Sequence, residues 1–156
     1  MKVGEIMCRP VTSCTEEMNL TSAGRLMGEY DCGFLPVVRA GNVVGVITDR
    51  DICVAIGKKR RSPADILVRE VMSKDVAACT TTDRVGTALS AMAQRRVRRL
   101  PVLDPKGALA GILSLDDLVL RAEESSPPGL PPDLTSGEVI RTLRSIVGSR
   151  PLRRSA

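Results

Sequence analysis

The stretch Gly45-Val46-Ile47-Thr48-Asp49-Arg50-Asp51 returns in related form as Gly111-Ile112-Leu113-Ser114-Leu115-Asp116-Asp117. Each copy consists of a short apolar run, a hydroxyl side chain, and a carboxylate three residues further on. An apolar run that ends at Thr or Ser just before acidic residues indicates a strand leading into the N-terminus of a helix. The same strand-to-helix junction is therefore predicted at two places in the chain.

The similarity extends outward from this motif in both directions. LPVV at 35–38 matches LPVL at 100–103, and VGEIM at 3–7 matches VREVM at 68–72. The shift is 65 residues, and it becomes 66 after one residue inserted in the second copy. Self-similarity at a fixed period indicates an internal repeat of one structural unit.

The expected boundaries are repeat one at 1–57, a linker at 58–65 and repeat two at 66–122. The linker contains four consecutive basic residues, Lys58 to Arg61. We expect a polar, flexible, solvated turn there, and an electrostatic contact with an acidic partner is the alternative.

Each repeat is predicted to contain the element order β-α-β-β-α. Its apolar residues fall first at helical spacing and then in two short runs joined by a tight turn. A unit of about 55 residues buries too little apolar surface alone, so the two copies are expected to pack through their sheets. The fold class is α/β, of an α+β sandwich-like kind. The expected strands lie at 12–15, 34–38, 43–47, 77–80, 99–103 and 109–113, and the apolar face of the first long helix at Leu20, Ala23, Met27 and Tyr30.

Composition narrows the possible chemistry. The chain has 156 residues and no histidine, and its five cysteines include no C-x-x-C pair. Histidine-based nucleophilic catalysis, a histidine-ligated zinc site and a disulfide framework are therefore not expected. Without an apolar leader or a long apolar run, we expect no membrane span and a location in the cytoplasm.

With these residues in view, each repeat resembles a cystathionine-β-synthase (CBS) domain, and the tandem resembles a stand-alone CBS pair. The resemblance covers about residues 1–122 and rests on the duplicated G-h-h-[T/S]-x-x-D motif, where h is an apolar residue. It implies a regulatory module that binds an adenosine ligand in a cleft between the copies. The ligand would be AMP, ADP or ATP, with S-adenosylmethionine or NAD also possible, and two such pairs would form a homodimer.

Carried over from the family, a first ligand site would use Thr48 and Arg50 toward phosphate and Asp51 toward ribose. Backbone groups of Val11, Thr12, Phe34 and Leu35 would face the base. The unpaired N–H groups and dipole of a helix N-terminus favour phosphate, in agreement with this placement.

A second site would use Ser114, Asp117 and the backbone of Val76, Ala77, Arg99 and Leu100. The counterpart of Arg50 is Asp116, which repels a phosphate unless it points away. The first site is therefore the preferred nucleotide site.

Three alternatives stay open at this point. Thr48 and Ser114 are also what simple helix capping requires. A second alternative is that the clefts have lost ligand binding, which leaves a structural or protein-interaction module. A third is that the basic run at 95–99 binds nucleic acid, although the chain has only two aromatic residues, Tyr30 and Phe34, and its charge is spread along its length.

The tail begins with a proline-rich linker at 123–134, and a helix with a basic tail is expected at 135–156. Thr135 and Glu138 form a capping-box pattern before an apolar stripe, and Gly148 follows as a stop. We expect this helix to dock on its own pair or on a second copy, and a different protein partner is the alternative. No constellation of residues predicts catalysis, so the chain is not expected to be an enzyme.

Overall fold

The structure, a computed structural model, describes residues 1–124 and 134–148. Its elements are mixed α and β, which confirms the predicted fold class. They are, in chain order, helix α1 Val3–Ile6, helix α2 Leu20–Glu29, strand β1 Phe34–Arg39, strand β2 Asn42–Thr48, helix α3 Asp49–Lys58, strand β3 Cys79–Thr80, helix α4 Val85–Arg95, strand β4 Arg99–Leu103, strand β5 Leu109–Ser114, helix α5 Leu115–Glu124 and helix α6 Ser136–Val147.

The chain divides into two compact units. The repeat-one unit contains Pro10–Val76 with Gly107–Leu109, and the repeat-two unit contains Met1–Arg9, Ala77–Lys106 and the described residues from Ala110 onward. The repeat boundaries in the sequence and the unit boundaries in space thus differ, because the opening segment of each repeat belongs to the other repeat's unit.

The repeat-one unit is built on the antiparallel pair β1–β2. Both residues of its turn have positive φ, 50° at Ala40 and 81° at Gly41, as a tight two-residue hairpin requires. Helices α2 and α3 complete the unit and bury Leu20, Ala23 and Ile52. The predicted hairpin is confirmed.

Two details of this unit were predicted wrongly. No strand forms at 12–15, because only Cys14 bonds to β1 and the chain then turns at Glu16. The sheet consequently has two strands instead of three. Tyr30 does not belong to the apolar face of α2, since it lies at the C-cap and is 58% exposed.

The repeat-two unit has the predicted three-stranded sheet, in the order β3-β4-β5. β3 pairs in parallel with β4, with Cys79 opposite Val102. Helix α4 ends at Arg96, which adopts the left-handed conformation with φ 55°. The equivalent residue after α2, Asp31, has φ 47°, so the two repeats end this helix in the same way.

The opening segment of each repeat lies in the other repeat's unit. Val3 is fully buried in the core of the repeat-two unit, and Cys8 bridges Ile112 there. Ile66 and Val68 are fully buried in the core of the repeat-one unit. The matching VGEIM and VREVM segments therefore have equivalent positions, each completing the core of the unit to which it does not belong in sequence.

The C-terminal helix α6 packs on α4 and α5. Thr135 and Glu138 form the predicted capping box. The Thr135 N–H and hydroxyl both donate to the Glu138 carboxylate and lower its pKa. Val139 and Ile146 join the repeat-two core. The predicted docking on the chain's own fold is confirmed. The proline-rich linker was predicted at 123–134, but positions 123 and 124 belong to α5 and Leu134 is buried in the repeat-two core. The rest of the linker, 125–133, and the basic tail at 149–156 lie outside the described residues.

Basic residues of the linker between the repeats form ion pairs with Glu70. Its carboxylate accepts hydrogen bonds from Lys59 Nζ at 3.2 Å and from an Arg61 guanidinium nitrogen at 2.9 Å. The Leu67 N–H, which also donates to this carboxylate, and then Lys59 and Arg61 lower the pKa of Glu70 to about 2. Two of the four basic residues expected to be solvated are therefore ion-paired.

Within residues 1–124 and 134–148, no helix has the length and apolar character needed to cross a membrane. All five cysteines are free thiols. Burial raises the pKa of Cys14 to about 11 and that of Cys79 to about 12, so both behave as small core residues.

Candidate functional site

Thr48 and Asp51 form a reciprocal network at the start of α3. The Thr48 N–H and hydroxyl donate to Asp51 Oδ2 at 2.9 and 2.7 Å, and the Asp51 N–H donates to Thr48 Oγ1 at 3.2 Å. This is a complete capping box, so the capping interpretation of Thr48 is confirmed. Asp51 Oδ1 accepts no hydrogen bond from the described residues.

Ser114 and Asp117 reproduce the network at the start of α5. The Ser114 N–H and hydroxyl donate to Asp117 Oδ2 at 2.9 and 2.6 Å, and the Asp117 N–H donates to Ser114 Oγ at 3.1 Å. The distances differ from those of the first motif by no more than 0.1 Å. The duplicated sequence motif therefore encodes the same local geometry twice.

A backbone bond fixes each junction to its neighbouring strand. The Asp49 N–H donates to the Gly33 carbonyl at 3.2 Å, and the Leu115 N–H donates to the Arg98 carbonyl at 2.8 Å. In both repeats the acceptor is the residue just before the Leu-Pro-Val strand begins. The helix N-terminus is thereby held beside the start of that strand.

The motif glycines have a role that the sequence did not reveal. A Cβ atom at Gly45 would lie 2.7 Å from Met72 Sδ, and one at Gly111 would lie 2.5 Å from Met7 Sδ. Both methionines belong to the opening segments, VGEIM and VREVM, that lie in the other repeat's unit. The repeated Met is visible in the sequence, but its spacing alone does not indicate which strand each Met side chain covers.

The residues expected to face the base in the first site lie together in the repeat-one unit. Phe34 pairs with Thr48 in the β1–β2 register, and Leu35, whose side chain is fully buried, pairs with Ile47. Cys14 forms a parallel bridge with β1, so the residues before it run toward the strand's start. The backbone groups of Val11 and Thr12 form no hydrogen bonds with the described residues.

The residues expected to form the second site do not all belong to one unit. Ala77, Arg99, Leu100, Ser114 and Asp117 belong to the repeat-two unit, whereas Val76 closes the chain segment of the repeat-one unit. Leu100 is fully buried, like its counterpart Leu35.

The two junctions carry opposite charges beside the cap. Arg50 is exposed and forms no ion pair with a described residue. Its counterpart Asp116 lies 3.8 Å from the Arg99 guanidinium, and both side chains are exposed. The first junction thus has a cation without an ion pair among the described residues, next to the Asp49 carboxylate, while the Asp116 and Arg99 charges beside the second junction neutralise one another.

The basic run at 95–99 does not form one uniform surface. Arg95 ends α4, Arg96 is its left-handed cap, and Arg99 begins β4 and faces Asp116. Since these residues occupy different elements and Arg99 is paired with Asp116, the structure does not favour the nucleic-acid alternative.

A model of the CBS domain matches residues 3–58 and again residues 68–124. The CBS domain-containing protein YhcV of Bacillus subtilis is 32% identical over 130 residues, which cover 81% of this chain and 89% of that protein. An uncharacterised 17.7 kDa protein of Acidianus ambivalens is 35% identical over 75% of this chain and 70% of its own length. The chain covers 61% of another relative, the uncharacterised protein MK0525 of Methanopyrus kandleri.

Solved structures show the same fold. A putative signal-transduction protein with CBS domains from Burkholderia ambifaria has a TM-score of 0.72 and 27% identity, over 84% of this chain and all of that one. The CBS domain pair of protein MJ0100, in complex with 5′-methylthioadenosine and S-adenosyl-L-methionine, has a TM-score of 0.71 and 21% identity, over 80% of this chain and 98% of that one.

Enzymes also contain related segments. An inosine-5′-monophosphate dehydrogenase of Methanocaldococcus jannaschii is 31% identical over 77% of this chain, but the match covers 23% of that enzyme and lies in its CBS part. The duplicated caps, the motif glycines and these matches agree on one family. The chain belongs to the CBS domain family and carries two CBS domains in tandem.

Proposed function

We propose that this chain is a regulatory module that binds an adenosine nucleotide of the AMP, ADP or ATP class, with its main site at Thr48, Arg50 and Asp51. The observation that supports it is the junction at α3, where a hydroxyl, a helix N-terminus and a carboxylate with one unused oxygen lie beside the start of β1. The repeat-two junction has the same cap but lacks the free cation.

In the proposed complex, phosphate lies at the α3 N-terminus, where Arg50 offers positive charge. The Thr48 hydroxyl, which donates to Asp51 Oδ2 in this structure, turns its hydrogen to the phosphate. The ribose hydroxyls donate to Asp51, whose Oδ1 accepts no bond from the described residues. The unbonded backbone groups of Val11 and Thr12 are suited to the polar edge of adenine, with Phe34 and Leu35 beside them. Adenosine ligands in the CBS pair of MJ0100 support this ligand class.

The second proposed site uses Ser114 and Asp117 with the backbone of Ala77 and Leu100. Because Asp116 is next to Arg99, a phosphate there gains less from positive charge than in the first site. Weaker binding of phosphate-bearing ligands is therefore expected at this site.

Isothermal titration calorimetry with AMP and ATP tests the first site. Losing the charged hydrogen bonds of Asp51 in Asp51→Ala should weaken binding about 10- to 150-fold. Asp51 also caps a helix, so Glu138→Ala is the matched control, since it removes an equivalent capping box on α6. Unchanged affinity in Asp51→Ala would reject the site, and equal loss in Glu138→Ala would assign the effect to folding.

The ligand itself is tested separately. Thermal shifts with AMP, ADP, ATP, NAD and S-adenosylmethionine should be largest for AMP, ADP or ATP. If none of the five raises the melting temperature, the module has a structural or interaction role without a ligand.

We further propose that the chain acts without catalysis, by a shift between conformations that bind the nucleotide unequally.

We also propose that the chain forms a homodimer and is located in the cytoplasm. The free thiols suit a reducing compartment. Exposed apolar side chains on three helices support assembly: Val54, Ile56, Val119, Leu120 and Ile140. Native mass spectrometry of protein purified without added ligand measures both the bound species and the subunit number.

A further inference from the structure

A groove of about 390 Å³ runs beside α2 and α3 on the repeat-one unit. Its apolar lining comes from Met27 and Ile52. Three glycines, Gly24, Gly28 and Gly33, contribute no side chain to fill it. The groove is thus a depression in a helical face, with apolar residues at its base.

The same face of the repeat-two unit is filled and covered. The equivalents of Gly24 and Ile52 are Leu89 and Leu118, which belong to one buried cluster with residues of α6. Helix α6 packs across α4 and α5. This face of the repeat therefore accepts a helix in one unit and presents an open groove in the other.

The groove of the repeat-one unit is acidic. Asp31 and Asp49 line it, and none of its lining residues is Lys or Arg. Neither carboxylate forms an ion pair with a residue in the described ranges. A surface that fits this groove combines an apolar side chain with basic side chains.

The outer face of α6 has that combination. Ile140 is 51% exposed although it lies in the middle of the helix. Arg141 and Arg144 are exposed beside it, one and four positions further along the helix. The other apolar residues of α6, such as Val139 and Ile146, pack in the core of their own unit, whereas Ile140 does not.

We propose that the outer face of α6, formed by Ile140, Arg141 and Arg144, docks in the Gly24–Gly28 groove of a second copy of this chain. This inference rests on the proposed homodimer and names its interface. Because every copy carries one such face and one such groove, the contact can form twice in a closed dimer.

Sedimentation velocity over a concentration series tests the interface. Ile140→Glu places a carboxylate against Asp31 and Asp49, and Gly24→Leu fills the groove as Leu89 does in the other repeat. Each should weaken dimerisation by about tenfold or more. A Cβ at Gly24 meets no atom within 4 Å, so the second variant is expected to fold.

Charge reversal provides a stricter test with its own rescue. Asp31→Arg with Asp49→Arg should weaken the dimer, and Arg141→Glu with Arg144→Glu should do the same. All four substitutions in one chain restore opposite charges across the interface, and dimerisation should recover. Failure of this rescue, when both double variants are weakened and folded, would overturn the pairing of these surfaces.

Val54→Ser is the matched control, because Val54 is exposed on α3 but does not line the groove. Its dimer should be unchanged. If Val54→Ser breaks the dimer while Ile140→Glu and Gly24→Leu leave it intact, the proposed interface is wrong and the homodimer stands. If the unmodified chain is a monomer at all concentrations, both the homodimer and this interface are wrong.

Discussion

The two repeats have the same hydrogen bonds at their strand-to-helix junctions, but their helical faces differ. Thr48 with Asp51 and Ser114 with Asp117 cap their helices at nearly the same distances. Beside these caps, repeat one has a free Arg50 and a helical face with an open groove, whereas repeat two has a paired Asp116 and a face covered by α6. The difference indicates that repeat one presents the surfaces available for binding, and that repeat two is packed more completely.

The largest expected difference between the repeats is in the free energy of unfolding lost when the equivalent residues Leu118 and Ile52 are truncated. Leu118 is fully buried beneath α6, so Leu118→Ala should lower the free energy of unfolding by about 2–5 kcal/mol. Ile52 borders the groove, and Ile52→Ala should fall at the lower end of that range because less packing is lost. Urea unfolding followed by circular dichroism measures both, and equal losses would contradict the difference in packing.

The motif glycines should instead behave alike in the two repeats. Gly45→Ala and Gly111→Ala crowd the side chains of Met72 and Met7 and the carbonyls behind them, at an expected cost of about 1–3 kcal/mol each. Gly24→Ala is the control, since its Cβ meets open space and alanine favours the helix, which should raise stability by about 0.5–1 kcal/mol. Melting curves that show no loss for Gly45→Ala would contradict the close approach.

The caps test whether equal geometry means equal function. Thr48→Ala and Ser114→Ala should each lower the free energy of unfolding by about 0.5–2 kcal/mol, because both leave helix N–H groups without an acceptor. Only Thr48→Ala should also weaken AMP binding strongly, since Arg50 is in the same repeat. Calorimetry on both variants distinguishes the sites, and a larger loss in Ser114→Ala would reverse the assignment.

The smallest effect concerns pH. Because the pKa of Glu70 is lowered to about 2 in the fold, its stabilising contribution is present above the ordinary carboxyl value near 4.5 and is lost as pH falls toward 2. Glu70→Gln should therefore reduce the decrease in melting temperature between pH 5 and about pH 2, with little change from pH 6 to 7. The same acid slope in wild type and variant would contradict the role of Glu70 in holding the linker.

Much of the fold could be predicted because its signals are local. The hairpin at Ala40–Gly41, the caps at Thr48 and Ser114, and the capping box at Thr135 each depend on a few adjacent residues. The predicted strand at 12–15 failed because an isolated bridge and a strand have the same local sequence requirements. What decides between them is how many residues reach β1, which is a property of the tertiary packing.

The sequence by itself determined that the chain contains two copies of one α/β unit, and that each copy has a hydroxyl–carboxylate cap where a strand meets a helix. It determined this because periodicity, turn residues and capping act over a few residues. Only the tertiary structure decided that Met7 and Met72 lie over the motif glycines of the opposite repeats, and that α6 covers one helical face and leaves the other open. Those contacts join residues far apart in the chain, where spacing carries no information about which surfaces meet.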